Sequence, residues 1–346
     1  MSVRISLEEL TKRAEAGEAS AQYGLAAYCA RAGRREDSDR WLNAAAANGE
    51  PEALFTLATR EMHTRAGCAA MAPRLADAAV KGSPSAARIV GVLSAMEMGF
   101  AKDDAAAVAA IARLAAQGLE PAKRELAALR LLQHRDDTDD RSLSLDPPPP
   151  SAMERVAASP DVVLYRGAVP LGVCAYVIER ASPRLGPALV YDPRGGGMMR
   201  DPLRSSATAS LGPLDLDLAL VALNRRISAL AGVPDAQGEF LSVMRYRPGE
   251  EYRPHFDIIP PGPDFDRNGQ RIKTALLYLN DAYEGGETAF LSPGIKVRGE
   301  PGDVLVFSNV TEDGRGDPAS RHAGLPVTSG EKWLASKWFR ERVFDF

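Results

Sequence analysis

Residues 252–257 read YRPHFD, and the reading of the C-terminal half turns on them. The chain has four histidines, and one of them, His255, stands two residues before Asp257. In a β-strand, positions i and i+2 point to the same face, so a strand here sets an imidazole beside a carboxylate. By itself the spacing fits a surface pair as well as half of a metal site. The surroundings add to it. FLSVMRY, KTALLYLN, ETAFL and DVLVF are short apolar or alternating runs rich in Val, Ile, Leu and Tyr, separated by Gly, Pro and Asn turns. Two helical segments, VCAYVIERA and LDLALVALNRRISALAG, precede them. Many short strands after a helical prelude predict a jelly roll, a double-stranded β-helix flanked by helices.

The other histidine of this half, His322 in ASRHAGLPV, is separated from Asp257 by several of these strands. Two histidines and one aspartate are the components of a facial triad for non-haem Fe(II). Three protein ligands leave three cis positions open, which a bidentate 2-oxo acid and O2 together require. Lys332 follows in SGEKWLASKWF, on what reads as the next strand. Exposed, it is an ordinary surface lysine; buried, it must find an anion or surrender its proton, and a dicarboxylate cosubstrate would be that anion.

YRPGEEYRPHFD, QRIKTALLYLND, EGGETAF, GDVLVF and SRHAGLPVTSGEKWLASKWFR follow one another in the order of a known family. Residues 160–346 resemble the prolyl 4-hydroxylase branch of the 2-oxoglutarate and Fe(II)-dependent dioxygenases, and RSS at 204–206 stands at that family's Arg-Thr-Ser motif. The resemblance implies hydroxylation of a prolyl residue in a peptide or protein, with Fe(II), 2-oxoglutarate, O2 and ascorbate. It implies His255, Asp257 and His322 as iron ligands, Lys332 on the distal carboxylate of 2-oxoglutarate, and Tyr246 supporting that carboxylate. Tyr252, Arg271 and Trp338 fall at positions that face the peptide groove in family members; ordinary core or rim roles are the alternative. Arg340 stands where some relatives carry a histidine, and the retained Asp257 favours hydroxylation over halogenation. YDPRGGGMMRDP, residues 191–202, has three consecutive glycines that suit a lid or a plain surface loop. Hydroxylation of another side chain or of a free amino acid is the alternative reaction. An adaptor with an oxygen-sensing oxygenase domain is the alternative role. A nucleobase demethylase ranks behind both, because that branch usually clamps 2-oxoglutarate with arginine and this chain is acidic.

Up to about residue 132 the composition is Ala, Leu, Glu and Arg with few β-branched residues, which favours helix. Gly17, Gly49, Gly82 and Gly118 are spaced 32, 33 and 36 residues apart. Alanine follows each at +4 (Ala21, Ala53, Ala86, Ala122), an aliphatic at +8 (Leu25, Leu57, Val90, Leu126), and alanine precedes at −3 (Ala14, Ala46, Ala79, Ala115). This register predicts stacked helical hairpins, with glycine ending one helix and small alanines admitting the next. AQYGLAAY, PEALFTLA, DRWLNAAAANG and APRLADAAVKG resemble the Sel-type branch of the tetratricopeptide-like repeats, which implies a scaffold for a protein partner. The expected organisation is repeats over 1–132, a polar and proline-rich linker over 133–158 and the oxygenase domain over 159–346. In the linker, four prolines at 147–150 predict a polyproline spacer of ~12 Å.

A chain of 346 residues is long enough for two cores, and its net charge of −4 gives no pull toward phosphate backbones or anionic lipid. Neither nucleic acid nor a membrane is expected as a partner. No signal-like start and no run of 18 apolar residues stands in the sequence, so the expected location is cytoplasmic. Cys29, Cys68 and Cys174, odd in number and far apart, read as buried thiols of a reducing compartment.

Overall fold

The computed structural model describes residues 5–134, 140, 143–146, 148, 152–191 and 198–346. Most of the proline run at 147–150 and the glycines of the expected lid lie outside the described residues. The flanks of that lid segment are described, and Leu189–Tyr191 pairs antiparallel with Met198–Arg200. The chain forms two compact units, one of residues 1–123 with Phe346 and one of residues 124–345.

The first unit is built from α1 (Leu7–Glu15), α2 (Ala19–Arg31), α3 (Arg35–Ala47), α4 (Pro51–Thr59), α5 (Arg65–Val80), α6 (Pro84–Ala95), α7 (Asp104–Ala116) and the start of α8 (Glu120–Leu132). The four periodic glycines follow α1, α3, α5 and α7 at φ of +90°, +84°, +100° and +94°. A Cβ at any of them would meet nothing within 4 Å, so glycine is there for the left-handed backbone alone. The alanines four residues on are buried in the first turns of α2, α4, α6 and α8. Side chains larger than a methyl there would hold neighbouring helices apart. The predicted hairpin stack is what the chain forms.

The division between the units falls inside α8, earlier than the boundary read from composition. The C-terminal part of α8 is tied into the second unit by specific bonds. Glu125 Oε1 accepts from the Leu218 N–H at 2.8 Å, and Arg226 donates to the Leu132 carbonyl at 2.9 Å. Composition follows helix propensity and is blind to which unit a helix packs against.

The second unit is a jelly roll with flanking helices. Its larger sheet has eight strands in the order Met153–Ala158, Asp161–Tyr165, Val304–Ser308, Arg271–Tyr278, Lys332–Arg340, Ser242–Tyr246, Ala207–Ser210 and Gly186–Pro187. Its smaller sheet runs Ile295–Val297, Thr288–Phe290, His322–Gly324 and Tyr252–His255. Every named pairing is antiparallel. The core lies between the sheets and contains Met244, Leu276, Tyr278, Phe290, Phe307 and Leu334. The predicted helices are α9 (Leu171–Ala181) and α10 (Leu218–Ala231). Asp217 caps the start of α10 by accepting from the Leu220 N–H, and Gly232 ends it at φ +65°. The helix is buried along most of its length and packs on the Arg271–Tyr278 and Val304–Ser308 strands, so those strands are buried on both faces and read as continuous apolar runs. All three cysteines are buried and unpaired. Among the described residues, no helix is long and apolar enough to cross a membrane.

Candidate functional site

Two neighbouring strands of the smaller sheet bring the site histidines together. His322 stands directly opposite His255 in the antiparallel register, with ring centroids 4.3 Å apart. Each ring is anchored through Nδ1 to a backbone carbonyl two residues earlier, Arg253 at 2.8 Å and Ser320 at 2.9 Å. A carbonyl only accepts, so Nδ1 carries the hydrogen, and in the neutral ring Nε2 is left with its lone pair. Both Nε2 atoms face Asp257, at 3.6 Å from Oδ1 for His255 and 3.7 Å from Oδ2 for His322.

The strand ladder stops at His255, so Asp257 is not placed by strand alternation. Its carboxylate is fixed from the opposite sheet, where the Thr274 hydroxyl donates to Oδ2 at 2.6 Å. All three residues are buried, and their ligand atoms lie within 4.8 Å of one another. Two imidazoles and one carboxylate, gathered on one side, fit a divalent iron and leave its remaining positions to small molecules.

The electrostatics agree with that donor set. Burial, only partly offset by Asp257, pushes His322 down to about 4, which keeps it neutral at pH 7. Burial also opposes charge on Asp257, yet its carboxyl is held below the usual carboxylate range; with His322 neutral, Arg271 is the nearby cation that favours the carboxylate.

Lys332 opens its strand opposite Tyr246 and is 2% exposed. A strand intervenes between it and His322, since Val327–Gly330 pairs separately with Tyr283–Gly285. The Lys332 ammonium donates to the Gly286 carbonyl at 2.7 Å and lies 5.4 Å from the Tyr246 ring centroid. Among the described residues no carboxylate is ion-paired with it. Burial pushes its pKa down to about 8, with Glu287 pulling it up and Arg298 pushing it down.

Lys332, Tyr246, Tyr252, Trp338 and the triad line one cavity. Tyr252 stacks on His255 with centroids 3.5 Å apart. Arg271 is not part of that lining. Glu239 holds its guanidinium at 2.6 and 2.7 Å, and it lies 4.3 Å over the Trp338 ring, whose buried Nε1 has no partner among the described residues. Arg340 is buried and bonded to Glu239, to the Gly269 carbonyl and to Asp264, so it braces the segment before the Arg271–Tyr278 strand.

Sequence reasoning missed Thr274, Glu239 and Asn309, which donates to Thr274 Oγ1 at 2.9 Å. A signal for Thr274 existed, because it is the single hydroxyl-bearing aliphatic in TALLYL. Glu239 and Asn309 sit outside the helices and strands, with nothing local to mark them.

The profile of the 2OG-Fe(II) oxygenase superfamily matches residues 241–340. Prolyl 4-hydroxylase 1 of Arabidopsis thaliana is 34% identical over 204 residues, covering 55% of this chain and 72% of that protein. Among solved structures, a viral collagen prolyl hydroxylase from Paramecium Bursaria Chlorella virus-1, in complex with 2OG, is similar at 25% identity and a TM-score of 0.41. It covers 52% of this chain and 95% of that one. A Sel1 repeat protein from Oxalobacter formigenes is similar at 30% identity and a TM-score of 0.30, covering 35% of this chain and 96% of that one.

Proposed function

The chain belongs to the prolyl 4-hydroxylase family of 2-oxoglutarate and Fe(II)-dependent dioxygenases, and from that membership we propose that it hydroxylates a prolyl residue in a peptide or protein. One observation carries the assignment of its site. A buried His-Asp-His cluster shares a cavity with a buried lysine that has no ion-paired carboxylate among the described residues.

In this reading His255, Asp257 and His322 hold Fe(II), and Lys332 pairs with the distal carboxylate of 2-oxoglutarate beside the Tyr246 hydroxyl. Bound Fe(II) and 2-oxoglutarate supply an oxidant from O2 at the cost of decarboxylation to succinate and CO2. The protein binds, orients and excludes water. Backbone carbonyls fix both imidazoles, so the Nε2 lone pairs need no reorganisation on metal binding. Tyr252 and Trp338 are flat apolar walls for a pyrrolidine ring. Arg271, held by Glu239, presents hydrogen-bond donors toward a peptide backbone from the rim. The repeat unit recruits a protein partner, an assignment supported by its stacked hairpins alone.

Purified, Fe(II)-loaded protein supplied with 2-oxoglutarate, O2 and proline-rich peptides tests the reading. Succinate release with one oxygen gained on a peptidyl proline is expected. An oxygen gained on another side chain, or on free proline and no peptide, overturns the substrate class.

A further inference from the structure

The two oxygens of Asp257 are unequal. The Thr274 hydroxyl has one hydrogen, and Asp257 Oδ2 at 2.6 Å is an acceptor with none to give. Thr274 therefore donates to the carboxylate and must accept from its other neighbour, Asn309 Nδ2 at 2.9 Å. This accounting orients the Asn309 amide, with its NH2 toward Thr274 and its oxygen turned away. Both side chains are 0% exposed, and Asn309 Oδ1 has no partner among the described residues, a cost that an arbitrary core position would avoid by being apolar. Asn309 is itself anchored by its backbone, donating to the Ile272 carbonyl and accepting from the Asp317 N–H, each at 2.9 Å. A line of hydrogen bonds thus runs from the backbone through Asn309 and Thr274 to Oδ2. Oδ1 lies 3.6 Å from His255 Nε2 and Oδ2 3.7 Å from His322 Nε2, so it is the Thr274 bond that distinguishes the two oxygens.

A carboxylate that chelates through both oxygens occupies two of six metal positions. With the two histidines it would leave two, and a bidentate 2-oxo acid plus O2 need three. We propose that Thr274 and Asn309 are positioning residues that hold Asp257 Oδ2 and so keep Asp257 to coordination through one oxygen. This inference rests on the iron-site reading above.

The test uses the full chain under anaerobic conditions. Co(II) is titrated and followed by its electronic absorption, and Fe(II) with 2-oxoglutarate is followed by the visible charge-transfer band of that complex. Thr274→Val should weaken Co(II) binding about 10- to 100-fold and diminish the charge-transfer band, and Thr274→Ser should restore both. Asn309→Asp is nearly isosteric but turns an acceptor toward an acceptor, so it should follow Thr274→Val. Wild-type binding and bands in both Thr274→Val and Asn309→Asp would overturn the proposal. Should Thr274→Val not fold, Asn309→Asp measured against Thr274→Ser carries the same two outcomes. His255→Ala serves as the reference, and wild-type Co(II) affinity in that variant would instead overturn the iron-site reading itself.

Discussion

Lys332 is the residue hardest to account for without a ligand. An ammonium has three hydrogens to donate, and this one is buried with one backbone carbonyl accepting. Lys332→Ala should raise the 2-oxoglutarate requirement by about 30-fold to several-thousand-fold, the range for truncating one member of a desolvated charge pair, while metal affinity stays put. Isothermal titration with each ligand separates the two. Burial lowers the lysine to about 8, and the protonated amine is the form that binds a carboxylate. Affinity for 2-oxoglutarate should therefore hold steady below pH 7 and fall about tenfold per unit above pH 8, with Glu287 and Arg298 as the charges facing the amine. Lys332→Arg keeps its proton and should flatten that decline. Alanine at His255, Asp257 or His322 should abolish Fe(II)-dependent succinate formation while circular dichroism stays native, since each removes one of three protein ligands. At this scale the sequence was most legible where residue type is dictated by coordination chemistry. It was least legible at Thr274, Asn309 and Glu239, whose importance comes from partners brought by other strands.

Elements were readable wherever one local rule governs them. The positive-φ glycines after α1, α3, α5 and α7 ended helices where the periodicity said they would, and the apolar runs became buried strands. The exceptions are places where a neighbour decides. His255 ends its strand, so the ladder stops two residues short of Asp257, and Thr274 fixes that carboxylate from across the core. Helix α8 follows the repeat pattern in sequence yet carries Glu125 and Leu132, whose bonds are to the jelly-roll unit. Glu125→Ala removes an acceptor from the N-terminus of α10 and should cost about 1–2 kcal/mol, read as a lower unfolding temperature by circular dichroism. An unchanged melt would show that Asp217 caps α10 unaided.

For the whole molecule, the two units make separable claims. A repeat scaffold that holds a target raises the local concentration of a weakly bound peptide into the millimolar range when the tether is short, so the groove need not bind tightly. Deleting residues 1–118 should spare turnover of short proline-rich peptides and impair modification of an intact protein target; equal rates on that target would reject recruitment. Deleting residues 1–140 removes all of α8 as well, and should lower the melting temperature of what remains. The sequence by itself determined two architectures, a metal-binding residue set and a family, because helix stops, strand periodicity and ligand type are written residue by residue. The tertiary structure alone decided that His322 lies in register with His255, that Lys332 is buried with no ion pair among the described residues, that Arg271 is held by Glu239, and that Thr274 grips one oxygen of Asp257. Each of these depends on strands far apart in the chain meeting across one core, and no local pattern encodes the distance between two side chains that only the closed sheet brings together.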